Sequence, residues 1–413
     1  MASFFFVLAS MQAQQGMVNN KGILTVKPQS QVGVRGTFTN HTTGDVINDG
    51  EIHFFNDFTN NGLFSYTTNT TTGYVVFSGI TGAVQNIQGN SPSFFYDVLY
   101  HKASNDPAFH LSNETTYAGT VNLFDGVVWV DQTAGGAFIF LKGANHINTS
   151  DNSHVQGTVT KEGNDAFVYP IGDVGFYRMA SITAPATQAH SYTGEYVFSN
   201  SNDFYPHESR AGVLSAIDEN EFWIINQAQP NDESVAVTLS WDARTTPAPF
   251  IEGDTSLLRV ARWDEEQELW VDEGGIVDTA SKTVTTLTKV EGFGVFTLAQ
   301  VKKNLLNPGD LVIYNGVTPN NDGMNDYFLI DNIQMYPRNT VQIFNRYGHP
   351  VFYTESYDST GNVFTGVAEG KGIVNKGEKL PSGTYYYILE YYITENGADR
   401  LVKRVGYLHL ETP

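Results

Sequence analysis

Between about Gly22 and Gly157 the chain keeps returning to one theme. Runs of four to six residues alternate apolar and polar positions, and Asn-Gly, Asp-Gly or Thr-Gly punctuates them. Asn48-Asp49-Gly50 precedes Glu51-Ile52-His53-Phe54, Asn60-Asn61-Gly62 precedes Leu63-Phe64, and Thr72-Gly73 precedes Tyr74-Val75-Val76-Phe77. Strict alternation predicts short strands with one buried face. The glycines at 50, 62, 73 and 82 are expected to supply the positive φ of tight turns, which Asn tolerates next best. Gly36-Thr37-Phe38-Thr39-Asn40 is echoed by Asp57-Phe58-Thr59-Asn60-Asn61-Gly62. Two architectures produce such a pattern. One is a β-solenoid, whose stacked coils repeat their corner residues. The other is an antiparallel sandwich. The Phe-Thr-Asn echo favours the solenoid.

Beyond residue 157 the strands lengthen. Ser234–Trp241, Leu257–Trp263 and Thr283–Leu287 alternate cleanly, and four of the five tryptophans (Trp223, Trp241, Trp263 and Trp270) lie here. An antiparallel β-sandwich is expected over 158–300. Asp264-Glu265-Glu266-Gln267-Glu268 lies between Trp263 and Trp270 and reads as a solvated hairpin tip. The expected organisation is a signal-peptide remnant over 1–13, a β-solenoid-like domain over 16–157 and the sandwich over 158–300. A linker over 301–309 and a C-terminal module over 310–413 complete it. The fold class is all-β. The signal reading rests on the apolar run Phe4 to Ala9, followed by small residues.

Composition narrows the chemistry. The chain has 413 residues, no cysteine and a net charge of −21. Absent thiols exclude disulfides, thiolate metal sites and cysteine nucleophiles. An acidic balance argues against nucleic acid and against anionic membrane surfaces. Much of the acidity sits in the middle region, where residues 195–300 carry 19 Asp and Glu against 6 Lys and Arg. No apolar run reaches the length that spans a bilayer, so the chain is not expected to be itself transmembrane.

The last hundred residues carry four blocks in order. The first is Val317-Thr318-Pro319-Asn320-Asn321-Asp322-Gly323-Met324-Asn325-Asp326. Then follow Phe344-Asn345-Arg346-Tyr347-Gly348-His349-Pro350-Val351-Phe352 and Leu380-Pro381-Ser382-Gly383-Thr384-Tyr385-Tyr386-Tyr387. The last is Lys403-Arg404-Val405-Gly406-Tyr407-Leu408. In order and spacing they resemble the gliding motility-associated C-terminal domain, the type B export signal of Bacteroidota type IX secretion. Asn321 stands where that family has Gly, and Tyr347 where it has Trp. The resemblance implies an immunoglobulin-like sandwich and export through the periplasm to the outer side of the outer membrane. It implies as partners the translocon components and an outer-membrane barrel docking protein of the gliding machinery. The motif positions it marks for export and docking are Pro319, Asn320, Asp322, Gly323, Asn325, Asp326, Asn345, Arg346, Gly348, Pro381, Gly383, Tyr385 and Gly406. On the residues alone, Tyr385, Tyr387, Leu389, Tyr391 and Ile393 share one strand face.

Candidate catalytic chemistry is sparse. There is no H-E-x-x-H, G-x-S-x-G or phosphate-binding loop. Oxygen-bearing residues alternate around Gly323, as in a calcium loop, with Asp322 and Asp326 as the carboxylates. The loop lacks the bidentate Glu of such sites, and an Asx-stabilised turn explains it without an ion. No cofactor is expected. Asp45, Asp49, Glu51, Asp57, Asp97, Asp125 and Asp131 would be the candidate carboxylates of a polysaccharide-cleaving solenoid, with Asp49 and Glu51 on one strand face and Asp57 on the next coil. The expectation is a non-enzymatic surface protein acting in adhesion, gliding motility or surface-complex assembly. The alternatives are a protein that binds a surface glycan and an exported polysaccharide-degrading enzyme.

Overall fold

The computed structural model describes residues 16–79, 83–103, 107–229, 233–290, 292–302, 311–321, 325–373, 376–395 and 398–412. The signal-peptide segment 1–13 lies outside them. The fold is nearly all β. It divides into two compact units. The first runs up to Met179 and takes in Pro185–Tyr196; the second holds Ala180–Ala184, Val197–Ile225 and the chain beyond 232.

The first unit is a β-solenoid. Every third strand belongs to the same parallel sheet, so the coils stack. One sheet begins Met17–Asn20, Thr37–Asn40, Phe58–Asn60 and Gln85–Gln88. The second begins Ile23–Val26, Asp45–Asn48, Leu63–Ser65 and Ser93–Phe95. The third begins Gln31–Val34, Glu51–Phe54, Tyr74–Phe77 and Asp97–His101. The Phe-Thr-Asn echo is the register itself: Phe38, Thr39 and Asn40 pair with Phe58, Thr59 and Asn60. Inward positions form an aromatic column. Phe54 meets Phe58 at 4.9 Å, Phe58 meets Phe64 at 5.2 Å, and Phe64 meets Phe95 at 5.3 Å between ring centroids. Edge-to-face rings at such distances add about 1 kcal/mol each beyond their burial.

The corners are held by amides. Asn20 Nδ2 donates to Asn40 Oδ1 at 2.9 Å, and Asn40 Nδ2 to Asn60 Oδ1 at 2.8 Å. Asn60 Nδ2 then donates to the Pro92 carbonyl at 2.9 Å and to Ser93 Oγ at 3.1 Å. Asn40 and Asn60 are wholly buried. Their amides thus replace the backbone partners that a tight corner removes.

The turn glycines need one correction. Gly73 has the expected positive φ, +113°, but Gly50 and Gly62 do not, and residue 82 lies outside the described residues. Gly50 and Gly62 are required by close approach instead. A Cβ on Gly50 would run into the Lys27 and Ser30 carbonyls, and one on Gly62 into those of Gly44 and His41. The preceding coil passes too near for any side chain.

Stacking continues beyond residue 157. Val159–Glu162 pairs parallel with Ala137–Phe140, and Val155 N donates to the Pro170 carbonyl at 2.8 Å. The coil geometry ends where Val159–Glu162 accepts an antiparallel neighbour, with Val159 opposite Gly194.

In the second unit the middle strands are antiparallel. Gly294–Val301 pairs with Leu258–Asp264, with Leu214–Ile217 and with Trp223–Ile225; Leu258–Asp264 pairs with Leu269–Asp272. A separate sheet orders Ala180–Ile182, Val237–Ser240, Thr283–Thr285 and Ile276–Asp278. The acidic run is the hairpin turn between Trp263 and Trp270. Its fold rests on Asp264 Oδ1, which accepts from the Gln267 N–H at 2.9 Å. Behind it, buried Arg262 pairs with Glu273 at 2.7 Å and Asp264 at 3.3 Å. Val301, expected to open the linker, is instead the buried last residue of its strand. Residues 303–309 lie outside the described residues.

Replacing Asn60 with Ala should leave one N–H of the buried Asn40 amide unpaired and remove the donor to buried Ser93 Oγ. We expect a loss of about 2–3 kcal/mol, read as faster amide exchange in Phe58–Asn60 and the strands stacked on it. Unchanged exchange would mean that the ladder is ornamental.

Candidate functional site

The C-terminal module occupies residues 311–412 of the second unit. Its main sheet is ordered Gly316–Val317, Ala398–Leu410, Gly383–Glu395, Asn339–Phe344, Pro350–Glu355. The two 13-residue strands form one hairpin, in register from Gly383 opposite Leu410 to Glu395 opposite Ala398. Tyr385, Tyr387, Leu389 and Tyr391 are buried, as their alternation predicted, and join Val317, Phe328, Ile343, Phe352 and Leu408 in one core.

Most of the motif residues fall at the turns around this core, while Tyr385 and Gly406 lie within its long strands. In the first block Asn321 N donates to Asp326 Oδ1 at 2.6 Å, and Thr318 N to the Asn325 carbonyl at 2.6 Å. Asn321 and Asn325 take positive φ, 62° and 52°. This is an Asx-held turn; Asp322 and Gly323 lie outside the described residues, so the calcium pair is not placed. Pro319 packs beside Gly366 and Leu410.

In the second block Asn345 builds the hairpin turn alone. Its Oδ1 accepts from Tyr347 N and His349 N at 3.0 Å each, and its carbonyl accepts from Gly348 N at 2.9 Å. Gly348 supplies φ +76°. The turn displays Arg346 against the ring of Tyr347, itself largely exposed. In the third block the buried Tyr385 hydroxyl donates back to the Pro381 carbonyl at 2.8 Å, tying the strand entry at Gly383 to its own strand. In the fourth, Gly406 faces Tyr387; an added Cβ would lie 2.6 Å from Tyr387 Cζ. The glycine is therefore the space into which the tyrosine ring folds.

Two supporting residues escaped sequence reasoning. The buried Tyr357 hydroxyl donates to the Phe328 carbonyl and accepts from Phe364 N. Asn339 Oδ1 accepts from Tyr357 N at 2.8 Å. Neither lies in a recurrent motif. A Tyr between polar residues, Ser356-Tyr357-Asp358, reads as surface loop, and only the fold makes it core.

The module also meets the middle strands of its own unit. The Tyr407 hydroxyl accepts from Asp272 N at 3.2 Å, and Lys289 pairs with Glu411 at 3.4 Å. A cavity of about 450 Å³ lies beside this contact, lined by Val213, Leu269, Leu287, Ile313, Val405 and Tyr407 among others.

Asp49, Glu51 and Asp57 each bond a different partner. Asp49 sits in a turn and accepts from Thr67 N and Oγ1 at 2.7 and 2.6 Å. Glu51 opens the next strand and bonds His53 and Gln31. Asp57 accepts from Asn86 N one coil on, at 2.8 Å. On that outer face Trp129 stacks on His110, 4.6 Å between centroids, with Asp131 at 3.2 Å from the imidazole. Among the described residues, no group of three or more His, Asp or Glu is arranged to hold a metal ion, and no helix is long and apolar enough to cross a membrane.

The family model of the CHU_C type IX secretion signal domain matches residues 311–410. Those residues are a type IX secretion signal domain. The match covers the module from its first core residue, Leu311, to the last residue of the final strand, Leu410. No curated protein and no solved structure matches the chain. The signal domain implies export by type IX secretion, to the cell surface or beyond, and engagement of the secretion machinery.

Two outcomes test the packing of the signal domain. Gly406→Val should push Tyr387 from its place and unfold the domain at lower denaturant, by about 2–4 kcal/mol. The tyrosines give a pH dependence. Burial pushes Tyr387 up to about 12 and raises Tyr357 and Tyr407 as well. Unfolded tyrosines ionise near 10. The stability held by the neutral hydroxyls is whole below pH 10 and falls as pH rises through about 12. Tyr387 alone accounts for about 3 kcal/mol of that fall. Absorbance at 295 nm should show these groups ionising only with unfolding.

Proposed function

We propose that this chain is a non-enzymatic surface protein whose signal domain carries acidic β-domains across the outer membrane and holds them at the cell exterior. There they act in adhesion, gliding motility or the assembly of a surface complex. The observation that carries the proposal is the signal domain itself, matched over residues 311–410 and packed around one core, joined to a solenoid in which Asp49, Glu51 and Asp57 each bond a different partner. In this reading the middle strands form a β-sandwich and the signal domain an immunoglobulin-like one. The docking partners are the translocon and an outer-membrane barrel protein of the gliding machinery. A solenoid suits display, because each coil adds length and lateral surface without needing a larger core.

A second reading has one observation in its favour. Trp129, stacked on His110 beside Asp131 on an outer solenoid face, is an aromatic and polar set of the kind that binds sugar rings. Under that reading Trp129→Ala lowers retention on surface polysaccharide and leaves export unchanged.

The main test compares the full chain with a version ending at Pro308, each tagged after the signal region. The full chain should become accessible to external protease and co-purify with outer-membrane barrel and translocon components. The shortened chain should remain in the periplasm. A shortened chain that still reaches the surface with the same partners would remove the signal domain from the explanation.

A further inference from the structure

The solenoid has two ends, and they are finished differently. At its far end Val159–Glu162 takes an antiparallel neighbour, Ser191–Val197, so that edge is paired. At its near end Met17–Asn20, Ile23–Val26 and Gln31–Val34 each stand last in their sheet and pair only with the coil that follows. His41 N donates to the Asn20 carbonyl, Asp45 N to the Gly22 carbonyl and Phe55 N to the Val34 carbonyl. Backbone groups of a strand alternate between its two sides. Those bonds therefore turn the N–H and carbonyl groups of Asn19, Ile23, Thr25, Gln31 and Gly33 outward. Among the described residues no strand pairs with them.

The core is cut across at the same end. Val18 stands in register with Phe38, which is 1% exposed, yet Val18 is 42% exposed. Leu24 and Val32 continue the inward rows of buried Val46 and Ile52 and are themselves only partly covered. Met17 and Ile23 beside them are 69% and 81% exposed. The last unit of a stacked array needs a polar outer face to stay soluble. This one ends on apolar side chains and an open ladder, which marks a contact surface.

Charge selects what could cover it. Each of the three strands is followed at once by a cation: Lys21, Lys27 and Arg35. In the second coil the same positions are His41, Asp49 and Phe55. All three cations are exposed. Arg35 lies against the ring of Phe55, whereas neither lysine is ion-paired among the described residues. The first acidic residue of the chain is Asp45, so the first coil is a basic end on a chain of −21.

We infer that the first coil is a docking end for an extended acidic segment of a partner protein, which adds a strand to the open ladder. Laid along Ile23–Val26, the segment takes the free groups of Ile23 and Thr25. Its inward side chains cover Leu24 and the cut core, and its carboxylates meet Lys21 and Lys27, which bracket that strand. Two other occupants match less well. Met1–Gln15 lead directly into this coil but hold no Asp or Glu to meet its cations. A second copy stacked end to end would bring the same cations against one another. Cations beside an edge strand thus discourage self-pairing and admit an acidic partner. The inference rests on the assembly reading for the partner's role, while binding itself is measured without export.

The test uses the full-length protein and a fluorescein-labelled peptide alternating Thr and Val, with Glu at both ends, followed by fluorescence anisotropy. We expect binding that weakens with salt. It should fall at least about tenfold when Lys replaces Glu in the peptide, or in the double variant Lys21→Glu, Lys27→Glu. Methylating alternate peptide amides should abolish it, since that removes the ladder and keeps the charge. Thr25→Pro, which deletes one outward donor, should weaken it similarly. No binding of the parent peptide would overturn the inference, and so would equal binding by the methylated peptide or by the double variant. Displacement by dextran sulfate together with indifference to methylation would assign the end to a polyanion instead. Dimers in sedimentation that Thr25→Pro dissolves would assign it to a second copy. A protein that binds the peptide but is not exported retires the export reading and keeps this site; one that is exported but does not bind does the reverse.

Discussion

A strand of three or four residues cannot hold a sheet together, and the solenoid is made almost entirely of such strands. Its existence depends on satisfying the backbone at the corners, where a chain turns every few residues and loses ladder partners. The stacked amides of Asn20, Asn40 and Asn60 meet that need in the first coils. Asn40 and Asn60 each accept from the coil before and donate to the coil after, so neither corner is secure without its neighbour. Ser93 and Asn113 continue the role where the asparagine spacing changes, with Asn113 Nδ2 donating to the Ser91 carbonyl at 3.3 Å. With the corners fixed, inward positions fall in line, and the phenylalanines at 38, 54, 58, 64, 77 and 95 pack as one buried column. The column supplies the burial; the amides decide the register at which that burial occurs.

The second unit solves the same problem by length. A 13-residue antiparallel hairpin satisfies its backbone internally and needs only a few side chains to shape its ends. Asn345, Asn339 and Tyr385 each bond backbone groups at a turn, and Tyr357 bridges two segments that no ladder joins. In the signal domain the buried amide of Asn339 is paired at both ends, to the Tyr336 carbonyl and to Tyr357 N, which suits a domain that must keep one shape.

These two solutions leave different traces in sequence. Asn and Phe repeated at a spacing of 20 are visible by eye, because in-register stacking puts identical residues in identical surroundings. The spacing then lengthens: Ile87 follows Phe58 in the column after 29 residues. The repeat is therefore blurred by loop insertions that leave the core untouched. That is why the echo could favour a solenoid without excluding a sandwich. The reason for Gly50 and Gly62 was hidden for another cause. Close approach between coils is a property of stacked neighbours, whereas positive φ belongs to the residue alone, and only the second can be read locally. In the signal domain the alternation of Tyr385 to Tyr391 was legible because a long strand shows its period. The partner of Gly406 was not, since Tyr387 faces it only once the hairpin is paired. Tyr357 looks like a surface residue in the chain and becomes buried through contacts far away in sequence.

The uneven charge follows the same division of labour. Outside the last 103 residues the chain carries −18, and those residues carry −3. A strongly acidic β-rich chain without disulfides resists self-association through repulsion, which is of use to short strands with open edges. The signal domain, at −3, carries little of that repulsion. It protects one edge of its main sheet by covering instead, with the Glu369 loop bonded to Val351 and Tyr353. The export signal is thus distinguished less by its fold than by being a part of the molecule where repulsion has been withdrawn.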